Sequence, residues 1–288
     1  MEYITSRLTL SNRRILTNVS ILSLSALAAV FGLFMLGWIL YDVALKGASA
    51  INWQFFTEIP TPPGMGGGGL ANAIVGTLLM TIVATVISVP FGILAGTYLS
   101  EFDRGGKLAK SARFLCDILV SAPSIVVGVF VYLILVRTLG HFSGWAGGIA
   151  LAIIMLPVVT RTTEEMLKLI PHEMREASLA LGAPYWKMMT GVIYKAASAG
   201  MFTGIMLAVA RVAGETAPLL FTALNSPYWM HGLNEPTANL TVLIFNYAMS
   251  PYEDWHALAW GAAFMITISV LAVNILTRFI LGRKRRNY

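Results

Sequence analysis

The chain has 288 residues, 57% hydrophobic and 12% charged, with a mean hydropathy of +0.72. A soluble domain cannot clothe itself with so few charged side chains, so composition excludes that class and predicts a polytopic membrane protein. The net charge of +6 would suit nucleic acid, but the basic residues fall in short connections between apolar runs, as membrane orientation requires, and no nucleic-acid partner is expected.

The first apolar run, residues 19–41, follows Arg13 and Arg14 and precedes Ala48-Ser49-Ala50, the outline of a cleavable signal. It is too long for that role, because a signal core spans about 7–15 residues and a membrane helix about 20, so an uncleaved first span is predicted. Residues 52–69, rich in Pro, Gly and aromatic side chains, read as an external loop. The segment from Gly64 to Gly69 satisfies the dinucleotide pattern GxGxxG, but prolines precede it and a membrane run follows, so it lacks the strand and soluble helix that the pattern needs.

Five more apolar runs lie at 70–99, 112–136, 145–160, 196–223 and 255–280, which makes six predicted spans. Pro90, Pro123 and Pro157 fall in or near spans, where neighbours can satisfy the freed carbonyls. Gly92 with Gly96, Gly144 with Gly148 and Gly200 with Gly204 have the spacing of close helix packing. Cys116, the one cysteine, reads as a small buried packing residue. With the N-terminus inside, 17 of the 20 Lys and Arg face the cytoplasm, Lys46 and Arg137 lie outside, and Arg211 lies within a span. That bias places both termini in the cytoplasm, and it puts Trp38, Trp145, Trp255 and Trp260 near the outer interface.

Residues 161–195 form the longest inner connection. Apolar Met174, Ala177, Leu179 and Leu181 alternate with charges over 173–181, Gly182 suits a helix C-terminus, and Pro184 suits the first turn of a second short helix through Thr190. Two short helices with a glycine elbow make a docking knob. The fifth span carries Arg211 and Glu215 four residues apart. An intramembrane arginine costs about 2.5–3.5 kcal/mol, so it should face a pathway or a partner rather than lipid. Either the two residues neutralise each other, in the weaker of the two i,i+4 orientations, or Arg211 presents its planar fork to an anion. The external segment 225–254 has no Lys or Arg; it either meets an external protein or is an interfacial loop with a short re-entrant helix at 238–248. The four histidines are scattered, no HExxH or GxSxG occurs, and Gly105-Gly106-Lys107 lacks the rest of a nucleotide-binding loop, so no enzyme activity, metal site or ATP hydrolysis is expected of this chain.

Glu176-Ala177-Ser178, followed by Gly182 and Ala183, resembles the EAA loop of ABC importer permeases, although Ile193 to Ala196 lacks the proline that often ends it. Residues 72–77, 122–128 and 210–220 are similar to the permeases of phosphate transport systems. The resemblance implies an all-α type I ABC importer permease fold with six transmembrane helices, in the bacterial inner membrane. It divides the chain into an N-terminal helix and external loop (1–69), a transmembrane core (70–282) with coupling helices near 171–195, and a basic tail (283–288). It further implies a second homologous permease, an ATPase dimer and an external phosphate-binding protein as partners. ATP and Mg would be used by the ATPase, with no cofactor on this chain. Arg211, Glu215, Thr216, Asn72 and Ser124 would line the inorganic phosphate pathway, while Glu176, Ala177, Ser178, Gly182 and Ala183 would dock on the ATPase. Another oxyanion, such as sulfate, molybdate or phosphonate, or an ATP-independent anion channel with Arg211 as its selectivity element, remain the alternatives.

Overall fold

Backbone inside a bilayer must satisfy its own hydrogen bonds, so apolar runs of this length fold as helices. The computed structural model describes residues 2–102 and 106–285, with side chains at 13–102, 106–277 and 279. Of the basic residues counted as inward, Arg7, Arg104 and those from Arg278 onward therefore lie outside the described side chains. In chain order the helices are α1 (Glu2–Ala50), α2 (Trp53–Thr57), α3 (Ala71–Thr97), α4 (Lys107–Ser121), α5 (Ser124–Val131), α6 (Gly144–Lys168), α7 (His172–Ala180), α8 (Tyr185–Met188), α9 (Tyr194–Ala213), α10 (Ala217–Leu220), α11 (Leu240–Ala248) and α12 (Glu253–Arg285). Wide π turns extend α3 through Phe102, carry α5 on to Leu139, and fuse α8 to α9 across Met189–Ile193.

Five of these helices are long and apolar enough to cross a membrane, and α4 with α5 forms a sixth unit bent by 103°. The third span expected at 112–136 is thus two helices. Pro123 disfavours helical backbone in the residue before it, and Ala122 accordingly is extended, at φ −67° and ψ 139°. Beyond the bend, α4 is amphipathic and clamped to α6: Arg113 Nε donates to Glu164 Oε1 at 2.7 Å, and Arg161 bridges Asp117 at 3.1 Å and Glu164 at 3.5 Å. Cys116 on α4 is half-buried in an apolar groove with Leu119 and Pro157, not enclosed as expected.

The central pair is α3 on α6. A Cβ at Gly92 would lie 2.7 Å from Val159 Cγ1, and one at Gly96 2.5 Å from the Thr160 carbonyl oxygen, so the predicted small-residue spacing is a true helix contact. Lipid is as apolar as this core, so the pair is held by van der Waals contact at close approach and by bonds such as Ser88 Oγ to the Ala152 carbonyl at 2.8 Å. Around it Met80, Val131, Leu151, Met155, Val212 and Leu219 are buried. A second cluster, including Phe55, Leu70, Leu243 and Ala262, closes the end that the basic-residue bias puts outside, and a third, including Leu167, Met188, Ile193 and Ala197, closes the opposite end. α1 stands apart: residues 13–41 are exposed throughout, and it joins the bundle through Gly47, against Trp260 and Phe264 of α12, with Lys46 Nζ 4.7 Å above the Trp260 ring.

Candidate functional site

The fifth apolar run does not continue to residue 223 as one helix. Pro218 has no N–H and would collide with the carbonyl one turn earlier, and α9 stops at Ala213, with Gly214 and Glu215 N–H donating back to Arg211 and Val212 at 3.1 Å. Arg211 therefore lies in the last turn of α9, where a cation suits the helix dipole, and Glu215 lies in the break beyond it. The two are not stacked on one helical face as their spacing suggests. Thr216 starts α10, its carbonyl accepting from Leu219 and Leu220 N–H. α10 then packs on α5 where Gly128 meets Pro218; a Cβ there would be 2.6 Å from Pro218 Cα.

This packing brings Arg211, Glu215 and Ser124 together around a cleft of about 80 Å³, walled also by Ala122, Val127 and Ile154. A water needs about 10–15 Å³ of such space, so the cleft holds several waters or one small oxyanion. Arg211 Nε stands 4.0 Å from Glu215 Oε1, beyond hydrogen-bond distance, and among the described residues its guanidinium makes no hydrogen bond. The Arg211 side chain is 52% exposed and that of Glu215 17%. Ser124 opens α5; Val126 N–H donates to the Pro123 carbonyl at 2.9 Å, which leaves the N–H groups of Ser124 and Ile125 without an intrahelical acceptor. An arginine fork and a helix N-terminus at one cleft provide donors for a small anion.

Two residues that sequence reasoning missed hold the break in place. The single Thr241 hydroxyl hydrogen is shared between the Glu215 carbonyl at 2.8 Å and Asn239 Oδ1 at 3.0 Å, and Asn239 caps α11 by accepting from Val242 N–H at 2.8 Å. The asparagine before a short apolar run was the available cue, since Asn is a favoured N-cap. Asn72 is not brought to the cleft. It is buried at the start of α3, and its amide donates to the carbonyls of Ser226 at 3.0 Å and Tyr228 at 3.3 Å, tying the external segment to the bundle.

The knob forms as two helices about a glycine. Gly182 has φ +78°, its N–H donates to Leu179 and that of Ala183 to Ser178, the bonding of a Schellman turn. Glu176 and Ala177 are exposed, and Ser178 Oγ bonds back to the Met174 carbonyl at 2.8 Å. Leu181 is 89% exposed, with Leu179 and Trp186 also bare, so the elbow carries an uncovered apolar face. The second helix does not end at Thr190; it runs through the π turn into α9.

Residues 88–286 match the family described as binding-protein-dependent transport system inner membrane component. The chain is 53% identical over 264 residues, 92% of its length and 90% of the relative's, to the phosphate transport system permease protein PstA of Yersinia pestis. It is 50% identical over 95% of its length and 97% of the relative's to the protein of that name from Pasteurella multocida. Its fold is similar to a chain of the inward-facing MetNI methionine ABC transporter, with a TM-score of 0.57 at 19% identity, covering 74% of this chain and 92% of that one.

Proposed function

The chain belongs to the family of binding-protein-dependent transport system inner membrane components, among its phosphate permeases named PstA, and from that premise we propose how it moves its substrate. It is a multi-pass permease subunit of a phosphate ABC importer. In our reading it sits in the bacterial inner membrane beside a second permease, phosphate delivered by an external binding protein passes the cleft at Arg211, and a separate ATPase drives the cycle through the knob at 172–190.

The observation that carries this reading is the unspent guanidinium of Arg211 at a break in a membrane-spanning helix. A charged group so placed costs free energy, and at 4.0 Å Glu215 offsets part of it by charge attraction but leaves the guanidinium N–H groups without a hydrogen-bond acceptor among the described residues. An arriving oxyanion supplies the missing acceptors, two at a time, in the geometry an arginine fork favours. Ser124 and the first turn of α5 add donors from the opposite wall. Glu215 places a negative charge at the same cleft, which keeps the anion from binding too tightly to leave. The bare Leu181 and the Schellman elbow suit a groove in a partner subunit, since an apolar helical knob seated in a groove transmits rigid-body movement.

Uptake of labelled phosphate by proteoliposomes holding the assembled complex tests the substrate and the energy source together. We expect uptake that requires ATP and the loaded binding protein, and that excess sulfate or molybdate does not reduce. Uptake without ATP would make the assembly a channel, and strong competition by sulfate or molybdate would assign it to another oxyanion.

A further inference from the structure

Arg175 is the buried residue of an otherwise exposed α7, and only 7% of its surface reaches solvent. All five of its N–H donors are spent. Nε and one NH2 hydrogen go to the two carboxylate oxygens of Glu101 at 3.1 and 2.6 Å; the remaining three reach the carbonyls of Leu167 at 2.9 Å, Ile170 at 2.7 Å and Pro171 at 3.4 Å. Glu101 belongs to the π turn that extends α3, and its side chain is 1% exposed. The three carbonyls belong to the end of α6 and the turn after it. From the other side, Tyr185 of α8 brings its hydroxyl to 3.4 Å from Glu101 Oε2 and its ring to 5.4 Å from Phe102. One buried ion pair thus joins the ends of α3 and α6 to both helices of the knob.

We propose that Arg175 and Glu101 are positioning residues for coupling: they make the knob, the end of α3 and the end of α6 one rigid body. This rests on the knob being the ATPase docking element. Without the clamp, a displacement of the knob would pass along the chain only, into α9 and through the short turn 169–171 into α6. With the clamp, α3 and the end of α6 move with the knob as one body, and through Arg113 and Glu164 the displacement reaches α4, whose far end is the bend at the Arg211 cleft. The guanidinium is needed for its shape, because a planar fork binds a carboxylate bidentately while its other hydrogens cap carbonyls, and an ammonium offers three donors from a single point.

The test uses the complete complex in proteoliposomes and reads phosphate taken up per ATP hydrolysed, a ratio that a brace needed only for folding would leave unchanged in the molecules that assemble. Arg175→Lys and Glu101→Gln are each expected to assemble, to hydrolyse ATP, and to lower that ratio at least about tenfold. A wild-type ratio in either variant would overturn the clamp, and so would failure of both to assemble, which would make the pair a folding brace. Gly182→Pro in the same preparation separates this inference from its premise: if it transports with the wild-type ratio, the docking reading fails, whereas an uncoupled Gly182→Pro beside a coupled Arg175→Lys sinks the clamp alone.

Discussion

Arg175 spends every donor it has on neighbours within the chain, and Arg211 spends none at hydrogen-bond distance on a described residue. The two side chains are chemically identical, so their surroundings assign one to architecture and leave the other open to a ligand. Sequence reasoning finds Arg211 because a charge inside an apolar run is costly wherever it points. It counts Arg175 merely as an inward-facing charge, because nothing local reveals that Glu101, 74 positions earlier, will lie beside it. The same blindness hides Thr241, whose partner is the backbone carbonyl of Glu215, 26 residues away. Thr241→Val removes that donor and leaves a partly buried carbonyl unmet, which costs about 1 kcal/mol. We expect a lower thermal midpoint for the purified complex and weakened phosphate uptake, both restored by Thr241→Ser. Unchanged melting and uptake in the Thr241→Val variant would show that the break does not depend on this bond.

At the level of elements, apolar length predicts where helices run, and prolines decide where they stop. Hydropathy alone makes the third and fifth runs continuous. Pro123 bends one by 103° and Pro218 ends the other before Gly214, and the two breaks meet at the cleft. Hydropathy sums over a window and is insensitive to one missing N–H, so such breaks are legible only from the prolines themselves. The knob is the more legible element, since Gly182 followed by Pro184 writes a helix stop and start directly. Its elbow requires φ +78°, which an L side chain adopts at a cost of about 1–2 kcal/mol, more if it is β-branched and less for asparagine. Replacing Gly182 by Asn, Ala and Val should therefore lower phosphate uptake in that order, with membrane insertion unchanged, as measured by uptake normalised to membrane content. Equal uptake across the series would remove the elbow from the coupling path.

For the whole molecule, the Lys and Arg count predicts an orientation in the membrane from sequence alone, and the helices match an importer permease fold. How the helices pair is not legible in the same way, because every span is apolar on most faces and a membrane offers no polar side to read. Glycine spacing points to the α3–α6 contact, but the packing of α10 on α5, which places the cleft, depends on Gly128 meeting Pro218 across two breaks. From Tyr185, α8 and α9 run about 40 Å to Arg211 at 1.5 Å per residue, so knob and cleft are ends of one nearly continuous rod. The central claim is that the cleft end of this rod carries phosphate on Arg211. Its most direct measurement is ATP-driven phosphate uptake by complexes carrying Arg211→Gln or Arg211→Lys, in vesicles with matched protein content. Loss of a charge-assisted contact predicts uptake about 10–100-fold lower in the glutamine variant, with partial activity in the lysine variant because the charge remains and the fork does not. Wild-type uptake by Arg211→Gln would contradict the account.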